Sequence, residues 1–139
     1  MPKRALLLSV IAILLPVQAL AAICFTPSPF PDVLVIEVTG FGGTFFSLAG
    51  EDVGACGPGT SMPLHGSAHL RADESAHFAI SVITAASQCV PARIQGRVNP
   101  PGYNTGSGFH QIDVFAGTPP QIVTTPVTFI PAACPGLPQ

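Results

Sequence analysis

Lysine occurs once, at Lys3, and the only other cations are Arg4, Arg71, Arg93 and Arg97. A chain so poor in cations cannot lay a basic track against phosphates, which excludes nucleic acid as a partner and argues against an anionic membrane surface. Tryptophan is absent and tyrosine occurs once, at Tyr103, so the aromatic platforms on which secreted sandwiches often stack sugars are missing. No Gly-x-Ser-x-Gly pentapeptide is present to lift a nucleophilic serine clear of a sheet. Ser61, Ser67 and Ser107 have glycines nearby, but in patterns that read as turns. No two cysteines stand close enough for a redox dithiol or a structural zinc knuckle. Cys89 is followed by Val90, Pro91 and Ala92, not by the His and Met of a blue-copper loop. With no catalytic or cofactor motif, the expectation is a protein that is not an enzyme and carries no cofactor.

What is present begins with an export pattern. Lys3 and Arg4 precede an uncharged apolar run from Ala5 to Leu15, then Pro16 and the triplet Ala19, Leu20, Ala21. A basic head, a short apolar helix and an Ala-x-Ala site make a secretory leader, so residues 1–21 are expected to be a cleaved signal peptide and 22–139 a single secreted or periplasmic domain. The rival is an uncleaved anchor, since Ala5 to Ile23 carries no charge and approaches the ~20 residues that span a bilayer. Pro16 and the cleavage site favour removal, with no stable membrane insertion afterwards. Ile23 before Cys24 argues against a lipoprotein. The exported part keeps three arginines against Asp32, Glu37, Glu51, Asp52, Asp73, Glu74 and Asp113, about −4 in all.

An oxidising compartment makes Cys24, Cys56, Cys89 and Cys134 a disulfide framework. Cys56 and Cys89 are nearly equidistant from a turn at Asp73 and Glu74, which favours a bridge closing one hairpin and a Cys24–Cys134 bridge tying the chain ends. Cys24 with Cys56 and Cys89 with Cys134 remains open on spacing alone.

Glycine and proline punctuate the rest too densely for long helices, and apolar residues fall in short β-branched or aromatic runs. Strands are predicted near 33–38, 44–49, 67–71, 77–84, 92–98, 109–116 and 122–130. Phe78, Ile80 and Val82 share one strand face, and Ile94, Gly96 and Val98 share another opposite Arg93, Gln95 and Arg97, a period of two. Val33 to Ile36 reads as a strand covered on both faces. Pro126 marks the last run as an edge or a bulge. Pro27 to Pro31 and the tail from Pro131 read as extended and weakly packed. Phe45, Phe46, Phe78, Phe115 and Phe129 read as core.

This count predicts an all-β, disulfide-stapled β-sandwich of seven or eight strands, immunoglobulin-like or prealbumin-like. Ile94 to Val98 and the Pro100, Pro101, Gly102 turn resemble strand openings in prealbumin-like and immunoglobulin-like extracellular modules. The resemblance covers too little of the chain to carry over a functional residue.

Three constellations are weighed for function. His65 and His69 would lie ~13 Å apart on a strand, whereas His69 and His77 would face each other across the Asp73 turn, with His110 reaching in from elsewhere. Unrelated surface imidazoles are the default reading, and a zinc or copper site is the alternative. Glu51 and Asp52, like Asp73 and Glu74, read as solvated neighbours on opposite faces or in a turn. Tyr103, Asn104 and Phe109 mark a polar connection that is the best candidate binding loop. With no lysine after the leader to guard strand edges, the surface suits docking on another protein or on a second copy. The expected function is therefore an exported, non-catalytic interaction or structural module of the cell envelope or extracellular space. The alternative is an extracytoplasmic metal-binding protein, and a loop-borne hydrolase or hydrolase inhibitor ranks last.

Overall fold

A computed structural model describes residues 21–83, 89–114 and 121–136, so all but Ala21 of the leader read over residues 1–21, and the strand ends expected at Thr84, Phe115 and Ala116, lie outside the described residues. Eight strands follow in order: β1 Ile23–Ser28, β2 Val33–Gly42, β3 Phe45–Val53, β4 Ser61–Leu70, β5 Ala76–Val82, β6 Ala92–Asn99, β7 Thr105–Val114 and β8 Gln121–Pro131. Each pairs antiparallel with the next, and β1 pairs antiparallel with β8 from Phe25↔Pro131 to Ser28↔Thr128, which closes the sheet into a barrel.

The closure corrects the sandwich. Alternating apolar rows with hairpin turns describe one face of a sandwich sheet and the inside of a barrel equally well, because both bury every second side chain. The difference lies ahead of Val33, where no strand is predicted and Pro27 to Pro31 reads as extended and weakly packed. Cys24, Phe25 and Pro27 are buried within β1, the strand that joins both edges of the meander. Pro126 pairs with Phe109 of β7 but lies beyond the stretch of β8 that meets β1, so its missing N–H faces no partner strand there.

The rows expected to share a face do so. Phe78, Ile80 and Val82 point inward with Ile94, Val98, Leu34 and Ile36, all nearly inaccessible. Val33 and Val35 are half-buried on the outer wall. Phe25, Phe78 and Phe129 form an aromatic knot across the barrel, with ring centroids 5.0, 5.2 and 5.8 Å apart. Eight strands enclose a lumen that side chains nearly fill, and this knot plugs its middle. Beside it, Gly96 and Gly108 stand directly opposite each other, leaving room for the Phe129 ring against β6.

Both disulfides form, Cys24–Cys134 and Cys56–Cys89, with Cα atoms 5.3 and 5.7 Å apart. Thus the hairpin-closing pairing is the one adopted. Cys24–Cys134 ties β1 to the segment after β8, where the Ala132 amide donates to the Cys24 carbonyl. Cys56–Cys89 joins the β3–β4 and β5–β6 connections, and the Thr60 hydroxyl, which accepts from the Cys56 amide and donates to the Gly57 carbonyl, sets that loop. Two such bridges point to an oxidising, extracytoplasmic compartment.

Candidate functional site

The aromatic knot divides the lumen into two unlike ends. The upper end is framed by the β2–β3, β4–β5 and β6–β7 turns, and the lower end by the β1–β2, β3–β4 and β5–β6 connections. The upper end holds a cup of about 250 Å³. Its floor is Phe25 and Phe78, and its walls include Val38, Phe46, Leu70 and Val98. Each of these comes from the inward row of its strand, so the period-two pattern that builds the core also builds the cup.

Tyr103 overhangs the cup from the β6–β7 turn, at φ 53°, and its hydroxyl donates to the Glu74 carbonyl at 2.9 Å. That bond holds the ring as an apolar lid edge while its polar atom is spent on the neighbouring turn. The β4–β5 turn that receives it is itself well fixed. The Asp73 carboxylate accepts from the Ser75 amide at 3.1 Å and from the Ser75 hydroxyl, and it pairs with the Arg97 guanidinium, whose Nε donates to Ser75 Oγ at 2.8 Å. The Ser75 hydroxyl, then its amide and lastly the nearby arginines hold the Asp73 carboxyl below the usual carboxylate range.

The lower end is polar. Asp52, at the end of β3, is 1% exposed and Asp32, just before β2, is 5% exposed. Burial, then the hydrogen bond to Asp32 and the Asp32 charge, push the Asp52 carboxyl up to about 9. His110 enters the same space from β7, lies 4.1 Å from the Phe30 ring in a stacked arrangement, and is held below its ordinary value by burial, partly opposed by the Asp32 charge.

Several expected site residues are therefore redistributed. His69 and His77 do face each other across the β4–β5 hairpin, on the outer wall, where His69 stacks on Phe45 at 4.4 Å and His77 Nε2 lies 3.5 Å from an Arg71 nitrogen. His65 sits four residues away on β4, opposite Ser81, and His110 is in the lumen, so the four imidazoles do not gather. Among the described residues no group of three or more His, Cys, Asp or Glu side chains is placed to hold a metal ion.

Of the expected binding loop, Tyr103 and Asn104 stand in the short β6–β7 turn, but Phe109 lies well inside β7, half-exposed on the outer wall. The strand starts at Thr105 because Gly106 and Gly108 fit close against β6, so the Gly and Ser-rich stretch that reads as a loop is paired backbone.

Glu51 is solvated as expected, whereas Asp52 is not: its even position on β3 turns it into the lumen with Leu48. The signal was available in the alternation, since opposite faces for adjacent carboxylates put one of them inside. Phe45 also departs from the core reading at 62% exposed, and Phe41 near it on β2 is 80% exposed. The alternation of β3 that turns Phe46 into the cup turns Phe45 outward, opposite His69, while Phe41, paired with Phe46 beyond the register shift between Val38 and Gly40, is exposed at the tip of the β2–β3 hairpin.

Comparison with protein-family models, with curated proteins and with solved structures finds no match for this chain.

Proposed function

We propose that this protein is an exported, non-catalytic carrier that takes up a small apolar molecule in the cup at the upper end of its barrel. One observation carries the reading: a cavity of about 250 Å³ inside the barrel whose lining is apolar apart from a tyrosine hydroxyl already bonded to the adjacent turn. An apolar cavity of roughly 150 Å³ is enough to take up benzene, and barrel mouths are a common place for such sites. A secreted or periplasmic location belongs to the proposal. It is supported by the Lys3 to Ala21 export pattern and by the two disulfides.

The outer wall supports a molecule that works in water. Glu37, Glu51, Arg93, Gln95, Arg97, Ser107 and Asp113 point outward, the reverse of the apolar-out, polar-in alternation of a membrane-spanning barrel. Titration with N-phenyl-1-naphthylamine tests the carrier. Saturable fluorescence enhancement at one site is expected, with at least a tenfold loss of affinity in Ala68→Leu, which fills the cup from β4. A probe that binds without saturation, or equally well in the filled variant, would sink the reading.

A second reading concerns partners. A hollow on the outer wall runs between the half-exposed rings of Phe45 and Phe109 over small residues such as Ala79 and Gly108, and it suits docking of a protein or of a second copy. Sedimentation of the wild type and of Phe45→Ser/Phe109→Ser tests it, with a mass above the monomer expected for the wild type alone.

A further inference from the structure

The lower end of the barrel poses a separate question: a fold that buries two carboxyl groups leaves part of their hydrogen-bonding capacity unmet. Asp52 Oδ1 is buried and has no hydrogen-bond partner among the described residues. It borders a cavity of about 340 Å³ shared with Asp32, His110 and Phe30, with apolar walls from Met62 and Ile112 and the Cys56–Cys89 bridge at its side. A native fold rarely leaves a buried acceptor unpaired, because the loss is about 1–3 kcal/mol, more for a charged group.

The inventory of this cavity is one-sided. Its side chains supply carboxylate oxygens and an imidazole, and among the described residues no Lys or Arg lines it. Arg93, on the strand beside it, is exposed on the outer wall, as are Glu51 and Asp113, the charged neighbours of Asp52 and Ile112. The Asp52 carboxyl, pushed toward its protonated form by burial and by Asp32, brings a proton to this space and no cationic partner. What such a space lacks is a positive group with N–H donors on a short apolar stem. An anion meets like charge there, and a metal ion meets too few converging ligands.

We propose that the lower end of the barrel is a recognition site for an alkylammonium or guanidinium group, held by the Asp32 and Asp52 carboxyls and flanked by His110 and Phe30. The ammonium donates to the open Asp52 oxygen and to Asp32. In doing so it displaces the Asp52 proton, which leaves to solvent while the ligand keeps its own. No bond to carbon is made or broken. The stem lies against Met62 and the disulfide. This site is independent of the apolar cup, so the failure of either leaves the other standing.

Calorimetric titration of the oxidised protein with n-butylammonium chloride, and in a second arm with an end-blocked pentapeptide containing one lysine, tests the proposal. The expected result is one site for either probe, with affinity that rises by up to about tenfold per pH unit from pH 6.5 to 8.5 as the displaced proton becomes easier to lose. Tighter binding of butylammonium identifies a free amine as the source, and tighter binding of the peptide identifies a protein lysine. Asp52→Asn imitates the protonated acid, so it binds butylammonium without the pH dependence. Asp32→Asn/Asp52→Asn removes the charge and loses at least tenfold in affinity, while Ala68→Leu leaves it unchanged. No binding up to 10 mM of either probe, equal binding of n-butanol, or tight binding of Zn²⁺ or Ca²⁺ in place of the amine would overturn the assignment.

Discussion

Asp52 carries the sharpest physical consequence of any single side chain in this barrel. Its carboxyl is held protonated by burial and by Asp32, up to about 9 against 3.8 in an unstructured chain. Across that window the folded protein keeps a proton that the unfolded chain releases, so this group makes stability fall as pH rises from about 4 to about 9. Asp52→Asn keeps the shape and the donor to Asp32 without a charge to bury. It is expected to stabilise the fold at pH 7 by about 2–4 kcal/mol, with the difference vanishing near pH 4 and growing toward pH 9. Urea unfolding of both proteins at pH 4, 7 and 9 measures this, and parallel curves at all three would refute it. His110 acts with the opposite sign. Its lowered value means that the unfolded chain takes up a proton below about pH 6.5 that the folded imidazole refuses, so stability declines on that side as well.

The strands owe their curvature to where side chains are missing. At the β6–β7 contact a Cβ on Gly96 would stand 2.7 Å from Phe129 Cε2 and 2.8 Å from the Gly108 Cα. Neither neighbour has room to retreat, because Phe129 is wedged between Phe25 and Phe78. Gly96→Ala is therefore expected to lower stability by about 1–3 kcal/mol through overpacking. Gly42→Ala, at the end of β2 with nothing within 4 Å, is expected to stay within about 0.5 kcal/mol of the wild type. Thermal unfolding of the two variants separates the cases. Equal losses would mean that glycine's backbone freedom, and not the crowding at Phe129, matters at position 96. The inward rows of β5 and β6 were legible because apolar and polar residues alternate strictly there. The first half of β7 was not, because Thr105 to Gly108 offers no apolar row and its small residues pair for a reason set by the ring across the lumen, whereas the strand predicted from Phe109 onward is the second half of β7.

Closure makes the molecule a barrel, and the Cys24–Cys134 bridge sits beside the β1–β8 seam that performs it. That bridge spans 110 residues of sequence, against 33 for Cys56–Cys89. On the chain-entropy account a longer loop restricts the unfolded state more, so Cys24→Ala/Cys134→Ala is expected to cost about 1 kcal/mol more than Cys56→Ala/Cys89→Ala. Chemical denaturation of the two double variants measures the gap. The Cys56–Cys89 pair has a second expected effect, because it walls the lower cavity: its removal is expected to weaken butylammonium binding and leave naphthylamine uptake in the cup unchanged. Loss of both activities together would show that the ends of the lumen are coupled through the knot of phenylalanines.

Seven of the eight strands, the two faces of β5 and β6 and the favoured cysteine pairing follow from local chemistry: period-two burial, turn residues and the distance of each cysteine from the Asp73 turn. These depend on neighbours a few residues away, and a linear reading reaches them. Whether the last strand meets a second sheet or the first strand depends on residues about a hundred positions apart, and the same alternation serves both. The interior position of His110 and the cup beside Tyr103 follow from that one closure, because a curved sheet assigns inside and outside only when its two edges meet, whereas the inward turn of Asp52 and the outward turn of Phe45 follow from the alternation of β3.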